Sequence, residues 1–289
     1  MNRTALKLTA LSALGLSVLT GCQSEEMSGI EALDALAEVN RSSRGEVAVG
    51  DVIEVSTDQT IGDRVEAGAE RIAAFWESQA PCSEVTVEGA KVTIDYGTLD
   101  DNCTFEGQTY AGVNTHEVVS LERGSLEVGH DWSGFTNGDV TVDGGATVTW
   151  TGEDATRRVE TAHTWTDSEG NIVDVTGDHV QGPLDVDEDG PAWTGWIGGI
   201  TMEGTRDWTH VGDERDGEVW ALDMDGLELR WIDPAPQAGV VTVINPDGKE
   251  LAITYSRVDD TTIQAVLSGL RRGDKTVHIN LLGGVEEVD

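Results

Sequence analysis

From Val85 to the C-terminus, hydrophobic and polar residues alternate in short runs separated by Gly, Asn and Asp. A period of two is typical of β-strands with one buried face. The runs "VTVEGAKVTIDYG" and "AGVVTVINPDGKELAITYS" each predict a hairpin, the second across Asn245-Pro246-Asp247-Gly248. No ten-residue helical pattern lies between the strands, which argues against βαβ units. The pattern therefore predicts a mainly β fold, an antiparallel meander that forms a sandwich, an open barrel or an extended curved sheet.

Two helical patterns precede the strands. In "SGIEALDALAEV", Ser28 is a predicted N-cap and Glu31 completes a capping box. We expect a short helix there, with these apolar residues on one face: Ile30, Leu33, Leu36 and Ala37. A second helix is predicted before Pro81 from the helical spacing of Ile61, Val65, Ile72, Phe75 and Trp76. We interpret this second helix as a packing element against the sheet.

The first 22 residues have the organisation of a secretion signal. Arg3 and Lys7 precede an apolar stretch from Leu8 to Val18, which is shorter than the roughly 20 residues that span a bilayer. The next four residues, Leu19-Thr20-Gly21-Cys22, resemble the lipobox of bacterial lipoproteins. The resemblance implies that Cys22 receives a diacylglyceryl thioether and, after cleavage, becomes the acylated N-terminus. The alternatives are an ordinary signal peptide and a buried apolar helix with a chance cysteine.

This interpretation predicts three segments and a location. Residues 1–21 are the lipoprotein signal peptide, residues 22–60 a lipidated tether with a short helix, and residues 61–289 a helix plus an antiparallel β domain. Gln23 and Ser24 stand where an inner-membrane retention aspartate would lie. By resemblance to proteobacterial sorting, this implies a palmitate-bearing protein of the outer membrane of a Gram-negative bacterium.

The charge restricts the partners of the chain. Its 289 residues include 54 Asp and Glu but only 18 Lys and Arg, so the formal net charge is −36. Such acidity repels nucleic acid and anionic lipid headgroups, and no basic patch offsets it. We therefore expect no nucleic-acid partner, and a contact with the membrane through the N-terminal lipid alone.

Two cysteines remain after Cys22 is acylated, namely Cys82 and Cys103. An even pair in an exported protein predicts a disulfide. Two free buried thiols or a metal site are the alternatives, although two cysteines without a nearby histidine make a poor zinc site. A disulfide across a loop of this length stabilises the fold by about 3 kcal/mol in the chain-entropy model.

The segment "CSEVTVEGAKVTIDYGTLDDNCTFEGQTYAG" resembles a pattern in uncharacterised secreted lipoproteins of Gram-negative bacteria. In that pattern a cysteine opens a hairpin, a D-[FY]-G turn follows, and a second cysteine precedes a glycine-spaced strand. The matching positions are Cys82, Val85, Ile94, Asp95, Tyr96, Gly97, Cys103, Gly107 and Gly112. The resemblance implies the fold and the disulfide, and it carries no activity.

No motif of catalysis is present in the sequence. His116-Glu117 lacks the second histidine of H-E-x-x-H, and no G-x-S-x-G elbow occurs. The six histidines are scattered along the chain, and we assign none of them a catalytic role. A hydrolase using two carboxylates is the weak alternative, because so many acids single out no pair. We predict that the protein is not an enzyme.

One acidic loop suggests calcium. "DVDEDGPAW" places Asp185, Asp187 and Asp189 at alternate positions before Gly190, as in the first half of an EF-hand loop. The twelfth position holds Trp196 instead of Glu, and a solvated acidic loop is the alternative reading. Calcium is the single cofactor that the sequence suggests.

Nine tryptophans are the other unusual feature. Five of them fall within alternating runs: Trp150, Trp165, Trp208, Trp220 and Trp231. We interpret the tryptophans as core residues, because the chain has few other large side chains. Trp193 and Trp196, in the glycine-rich "PAWTGWIGG", are the candidates for stacking on a sugar ring.

Taken together, these features predict a lipid-anchored cell-envelope lipoprotein with a structural or interaction role and an unknown envelope partner. The alternative is a surface carbohydrate-binding module that uses Trp193 and Trp196, assisted by calcium.

Overall fold

The computed structural model describes residues 26–60, 65–105, 107–122, 125–151, 155–184, 196 and 198–288. Two helices, α1 (Gly29–Thr60) and α2 (Val65–Gln79), precede the strands. The described residues form fifteen strands: β1 (Glu84–Glu88), β2 (Lys91–Asp95), β3 (Cys103–Phe105), β4 (Gln108–Glu122), β5 (Ser125–Thr136), β6 (Val140–Thr151), β7 (Thr156–Asp167), β8 (Ile172–Pro183), β9 (Gly199–Val211), β10 (Val219–Arg230), β11 (Ala238–Ile244), β12 (Glu250–Asp259), β13 (Thr262–Ser268), β14 (Lys275–Asn280) and β15 (Val285–Val288).

The strands form one antiparallel meander, which confirms the predicted fold class. Each strand from β4 onward pairs with its neighbours in the chain, β1 and β2 precede β4 in the sheet, and β3 pairs with β4 beside this path. The path ends at β1 and at β15, which are not paired with each other, so within the described residues the sheet is open. Neither helix in this part of the chain is long and apolar enough to cross a membrane.

The chain divides into two compact units, which we describe separately. Unit 1 takes the described residues of 1–43, 179–208 and 218–289, and unit 2 takes those of 44–178 and 209–217. Helix α1 supplies its first half to unit 1 and its second half to unit 2. In unit 2, α2 packs on β1, β2 and β4.

The start of α1 confirms the predicted capping box. The Ser28 backbone N–H donates to Glu31 Oε2 at 2.6 Å, and the Glu31 N–H donates to Ser28 Oγ at 3.3 Å. The Lys249 side chain hydrogen-bonds Glu31 and is the main cause that lowers the pKa of Glu31 to about 2. The helix extends for 32 residues, so it is longer than the short helix predicted for this segment.

The buried face of α1 differs from the predicted one. Ile30 and Ala37 are exposed, whereas Ala32, Ala35 and Val39 are buried. The small side chains allow the helix backbone to approach the sheet closely, and this close contact sets which face is covered. The predicted apolar face was therefore wrong in its rotation about the helix axis.

Helix α2 is a packing element, as the sequence predicts. Ile72 and Trp76 are fully buried, and the Trp76 ring lies 5.8 Å from the Tyr96 ring and 4.9 Å from the Phe105 ring. The helix ends at Gln79, directly before the Cys82–Cys103 disulfide. The predicted pairing of the two cysteines is confirmed, and it fastens the end of α2 to β3.

The Asp95-Tyr96-Gly97 turn shows why glycine recurs in the cysteine-flanked segment. The Gly97 N–H donates to Asp95 Oδ1 at 2.8 Å, and Gly97 has a left-handed φ of 71°. Gly112 has a φ of 82°, and a Cβ there would lie 2.1 Å from the Gly134 carbonyl oxygen. Glycine at this second position is therefore required by the close approach of β4 and β5.

Unit 1 contains the predicted hairpin across Asn245. The Asn245 side chain accepts from the Lys249 N–H at 2.8 Å, and the Gly248 N–H donates to the Asn245 carbonyl at 2.8 Å. At this end of the strands the N-terminal segment joins the sheet. The Met27 N–H donates to the Gly269 carbonyl at 2.8 Å, and the Arg271 N–H donates to the Met27 carbonyl at 3.0 Å.

Gly45 gives a test of the packing of α1 in unit 2. A Cβ at Gly45 would lie 2.7 Å from Trp165 Cδ1 and 3.2 Å from His163 Nε2, and both side chains are buried. We expect Gly45→Ala to lower the free energy of unfolding by about 1–3 kcal/mol, because neither ring has space to move away. Chemical denaturation measures the change.

Gly50, one helical turn and a half further along α1, is the matched control, because a Cβ there meets nothing within 4 Å. Gly50→Ala is expected to raise the free energy of unfolding by about 0.5–1 kcal/mol through helix propensity. Two alanine variants of equal stability would contradict the contact between α1 and the sheet.

Candidate functional site

Three of the six histidines gather on the buried face of the unit 2 sheet. His116 on β4 lies directly opposite His130 on β5, and their Nδ1 atoms are 3.2 Å apart. Asn114 Nδ2 lies 2.9 Å from His116 Nε2. The three side chains form a row of hydrogen-bonded polar groups among apolar neighbours, with Val118 and Val128 as the next cross-strand pair.

The row has one consistent set of tautomers. An amide N–H of Asn114 donates, so His116 Nε2 accepts and His116 carries its proton on Nδ1. That Nδ1–H then donates to Nδ1 of His130, which leaves the His130 proton on Nε2. Both imidazoles are satisfied along this chain only while both are neutral.

His163 completes the cluster from β7. Gly144 on β6 pairs with Trp132 of β5 on one side and with His163 of β7 on the other. Because Gly144 has no side chain, the Trp132 and His163 rings meet across β6, edge to face with centroids 6.2 Å apart. His163 Nε2 lies 3.9 Å from a carboxylate oxygen of Glu46, on α1.

Burial determines the protonation of the pair. It lowers the pKa of His116 well below its usual value, and the adjacent His130 adds to the effect. Burial, followed by the positive charge of Arg157, lowers the pKa of His130 to about 3. The Arg157 guanidinium lies over the Trp150 ring at 5.7 Å. The pair is therefore neutral at any physiological pH.

This arrangement is suited to holding strands together rather than to chemistry on a substrate. His116 and Asn114 are 0 % exposed, so no outside molecule reaches the ring nitrogens. Within the part of the chain that the structure describes, no three His, Cys, Asp or Glu side chains lie close enough to hold a metal ion. The row is a polar part of the core, in which His116 and His130 acquire charge only when the unit unfolds.

The opposite face of the same strands carries a shallow depression of 710 Å³. Its floor includes three small residues, Gly129, Gly145 and Ala162, and acidic side chains lie around it. A Cβ at Gly145 would lie 2.4 Å from the His130 carbonyl oxygen, so the strands themselves require glycine there. The depression has no aromatic side chain on which a sugar could stack.

Most of the predicted ligand residues lie outside the described part of the chain. This holds for the lipidation site Cys22, for the calcium candidates Asp185, Asp187 and Asp189, and for Trp193. Trp196 is described and half-buried, and its carbonyl oxygen accepts a hydrogen bond of 2.8 Å from Trp231 Nε1. The Trp231 indole in unit 1 is thus bonded to the backbone of Trp196, and both residues are partly exposed.

The other tryptophans follow the core interpretation in part. Trp165 is buried in unit 2, and Trp208 and Trp220 are buried in unit 1, where their rings stack with centroids 6.2 Å apart. Trp150 and Trp231, at strand ends, remain half-buried. Fewer tryptophan rings are therefore exposed for stacking on a sugar than the total of nine suggests.

The histidine cluster was missed because the histidines were considered one at a time. Alternation alone places His116 on the face of Val118, and His130 on the face of Val128. A hairpin turning between β4 and β5 then brings the two histidines opposite each other. Strand register, inferred from buried valines, was the signal that could have found the pair.

Comparisons of the chain with protein families, curated proteins and solved structures return no match.

The buried pair predicts a pH dependence of stability. The folded pKa values lie below the unfolded value of about 6.5, so the unfolded state binds more protons as the pH falls. The stability is complete above pH 6.5 and is lost as the pH falls towards 3. At pH 5.5 each histidine is expected to have removed about 1.4 kcal/mol from the free energy of unfolding.

Urea denaturation at pH 8 and pH 5.5 measures this loss. His116→Gln is expected to remove about half of the pH dependence that the pair causes. Val118→Ala, in the adjacent cross-strand pair, is the control: it lowers stability equally at both pH values, because it removes packing and no proton-binding group. An unchanged pH dependence in His116→Gln would contradict the burial of a neutral imidazole.

Proposed function

We propose that the protein is a lipid-anchored cell-envelope protein with a structural or interaction role. The observation that carries the proposal is the sequence Leu19-Thr20-Gly21-Cys22 at the end of a short apolar stretch. The disulfide between Cys82 and Cys103 supports it, because such bonds persist in oxidising compartments outside the cytoplasm. By its resemblance to proteobacterial lipoproteins, the location is the outer membrane.

The fold supports a short link between anchor and folded chain. Met27 is fully buried and paired to the strand turn at Gly269. Only Gln23 to Glu26 separate it from Cys22, and five residue steps span at most about 18 Å. An acylated Cys22 would hold this end of unit 1 close to the bilayer surface.

The polar groups support a role without catalysis. The histidines that come together are closed to solvent, and the outer face above them presents a shallow acidic depression. A surface of this kind suits contact with another envelope component better than bond-breaking chemistry, which needs a reactive group that a substrate can reach.

A carbohydrate-binding module is the second candidate. The hydrogen bond from Trp231 to the Trp196 carbonyl favours it, because both residues are partly exposed and the bond joins them in unit 1. Aromatic faces stack on sugar rings. A calcium ion held by the candidates Asp185, Asp187 and Asp189 would assist by binding hydroxyl groups of the sugar. The smaller number of exposed tryptophans is the reason that this function ranks second.

Acylation tests the leading proposal. Cys22→Ser is expected to leave the chain unprocessed and without palmitate, because the serine hydroxyl cannot form the thioether. Metabolic labelling with radioactive palmitate, together with the mobility of the chain on a gel, measures both effects. Ser24→Ala, two residues further on, is the control and is expected to be processed and labelled normally. A labelled Cys22→Ser chain would contradict the anchor.

Fluorescence tests the alternative. If the module binds glycans, oligosaccharides are expected to shift the tryptophan emission, and Trp196→Ala is expected to abolish the shift. Trp150→Phe, at a half-buried tryptophan of unit 2, is the control that should retain it. No shift with any oligosaccharide in the unsubstituted protein would contradict glycan binding.

A further inference from the structure

One end of the unit 1 strands exposes large apolar side chains. Ile232, in the loop between β10 and β11, is 78 % exposed. Leu282, in the turn between β14 and β15, is 97 % exposed, and the adjacent Leu281 is 40 % exposed. Because alternate turns of a meander lie at the same end of the sheet, both segments project from one end.

The two segments are in contact. Gly283 lies against Pro234, since a Cβ at Gly283 would be 3.8 Å from Pro234 Cβ. Strands β12 and β13 lie between β11 and β14 in the sheet, so the loop after β10 reaches across their ends to meet the last turn. We call the set formed by Ile232, Pro234, Leu281 and Leu282 the apolar tip.

The loop that carries Ile232 is held by a network of polar side chains that connects it to strands β10 and β12. The buried Asp233 carboxylate pairs with the Arg257 guanidinium of β12. Arg257 Nε also donates to Gln237 Oε1 at 3.0 Å, and Gln237 Nε2 donates to Glu228 Oε2 at 3.0 Å. The exposed isoleucine therefore projects from a braced loop in which the Asp233 carboxylate is paired.

The leucine turn satisfies three of its own backbone N–H groups. The Leu282 and Gly284 N–H groups donate to Asn280 Oδ1 at 2.9 and 3.0 Å, and the Gly283 N–H donates to the Asn280 carbonyl at 2.8 Å. No water is needed for these three donors. The turn can therefore enter an apolar medium without leaving those amides unpaired, which is the condition that hydrocarbon imposes.

The apolar tip lies at the opposite end of the strands from Met27. Met27 pairs beside Gly269 and Arg271, at the end where β13 gives way to β14, whereas Leu282 follows the far end of β14. Strand β12 connects the same two ends with ten residues, which corresponds to about 30 Å. The N-terminal anchor and the tip are therefore two separate points of unit 1.

We propose that the apolar tip inserts into the lipid bilayer as a second membrane attachment, so that the unit 1 strands lie along the surface. This inference rests on the proposed function, because the acylated Cys22 supplies the first attachment. A single lipid chain binds a membrane only marginally, and a second signal makes attachment durable and fixes its direction. Once the anchor is inserted, a weak contact at the tip suffices because its effective concentration is high.

The size and the charge of the tip favour a bilayer over a protein. A stable protein interface takes about 20–30 residues from each side, and the tip offers four convex ones. A second copy of the chain would bring Asp259 and Asp260, exposed in the turn between β12 and β13, against the same carboxylates, in a molecule with a net charge of −36. The same charge favours zwitterionic over anionic headgroups.

Vesicle flotation tests the tip with the chain that begins at Gln23 and carries no lipid. At lipid concentrations of about 1 mM or more, which replace the effective concentration that the anchor supplies, we expect part of it to float with phosphatidylcholine vesicles and less of it to float when phosphatidylglycerol is added at low salt. Failure to float with phosphatidylcholine at these concentrations would overturn the proposal. High salt is expected to restore the fraction that floats, because it screens the repulsion. The double substitution Ile232→Ser with Leu282→Ser is expected to reduce the bound fraction about tenfold, because it removes two inserted apolar side chains.

Val219 offers the matched control, since it is exposed to 53 % and lies at the other end of β10. Val219→Ser is expected to bind as the unsubstituted chain does. A second measurement uses Leu282→Cys labelled with an environment-sensitive fluorophore, whose emission should shift to the blue on vesicles while the same label at Val219→Cys does not. The other two cysteines of this chain are joined in the disulfide and do not react.

Equal flotation of the double variant and the unsubstituted chain, or an unchanged emission at position 282, would overturn the proposal. Absence of vesicle binding combined with cross-links from position 282 to one envelope protein would overturn it in favour of protein docking. The failure of the anchor is separately visible, because Cys22→Ser is read by palmitate labelling in cells and the vesicle assay uses a chain without lipid.

Discussion

An open sheet buries one of its faces only where another layer covers it, and helix α1 contributes to that layer in each unit, together with α2 in unit 2. In unit 1, Trp208 Nε1 donates to Glu38 Oε2 at 3.4 Å, and an Arg206 N–H donates to Ser43 Oγ at 3.2 Å. In unit 2 the helix places Gly45 directly against Trp165. Without this cover the buried side of a meander would face water over its whole length.

The close approach of the helix explains why small side chains lie on the helix and large ones on the sheet. The covering face of α1 is made mainly of small residues, and the sheet supplies the tryptophans that fill the space. A buried carboxylate on this face of the helix is paired. Glu38, 1 % exposed, accepts from Arg41 Nη1 at 2.7 Å as well as from Trp208. The buried histidines avoid the cost of a charge by remaining neutral and bonding to each other.

The sequence predicted those features that depend on local order. Alternation predicted the meander, Asn245 and Gly248 the hairpin, Ser28 and Glu31 the start of α1, and the cysteine pair the disulfide. Each of these can be predicted from the alternation of a strand, from the residues of a turn or cap, or from an even number of cysteines.

The features that it did not predict depend on distance between elements. Ile30 is exposed because the small residues of α1 pack closer than a face of Ile and Leu would allow. The polar stretch after Asn40 continues as helix because tertiary packing overrides its low apolar content. The pairing of His116 with His130 and the contact of Gly283 with Pro234 both follow from register and loop path, which a residue-by-residue reading does not contain.

An acidic protein at a membrane faces a constraint of its own. Its net charge of −36 opposes any approach to anionic headgroups, so attachment has to come from apolar groups. A chain acylated at one point would be free to turn about it, and repulsion would rotate the acidic surfaces away from the bilayer. The apolar tip combines exposed leucine and isoleucine with the paired Asp233 carboxylate, and it lies at the far ends of the strands from Met27. Attachment at both ends would oppose that rotation. This effect would explain why the loop after β10 and the turn after β14 keep apolar side chains exposed.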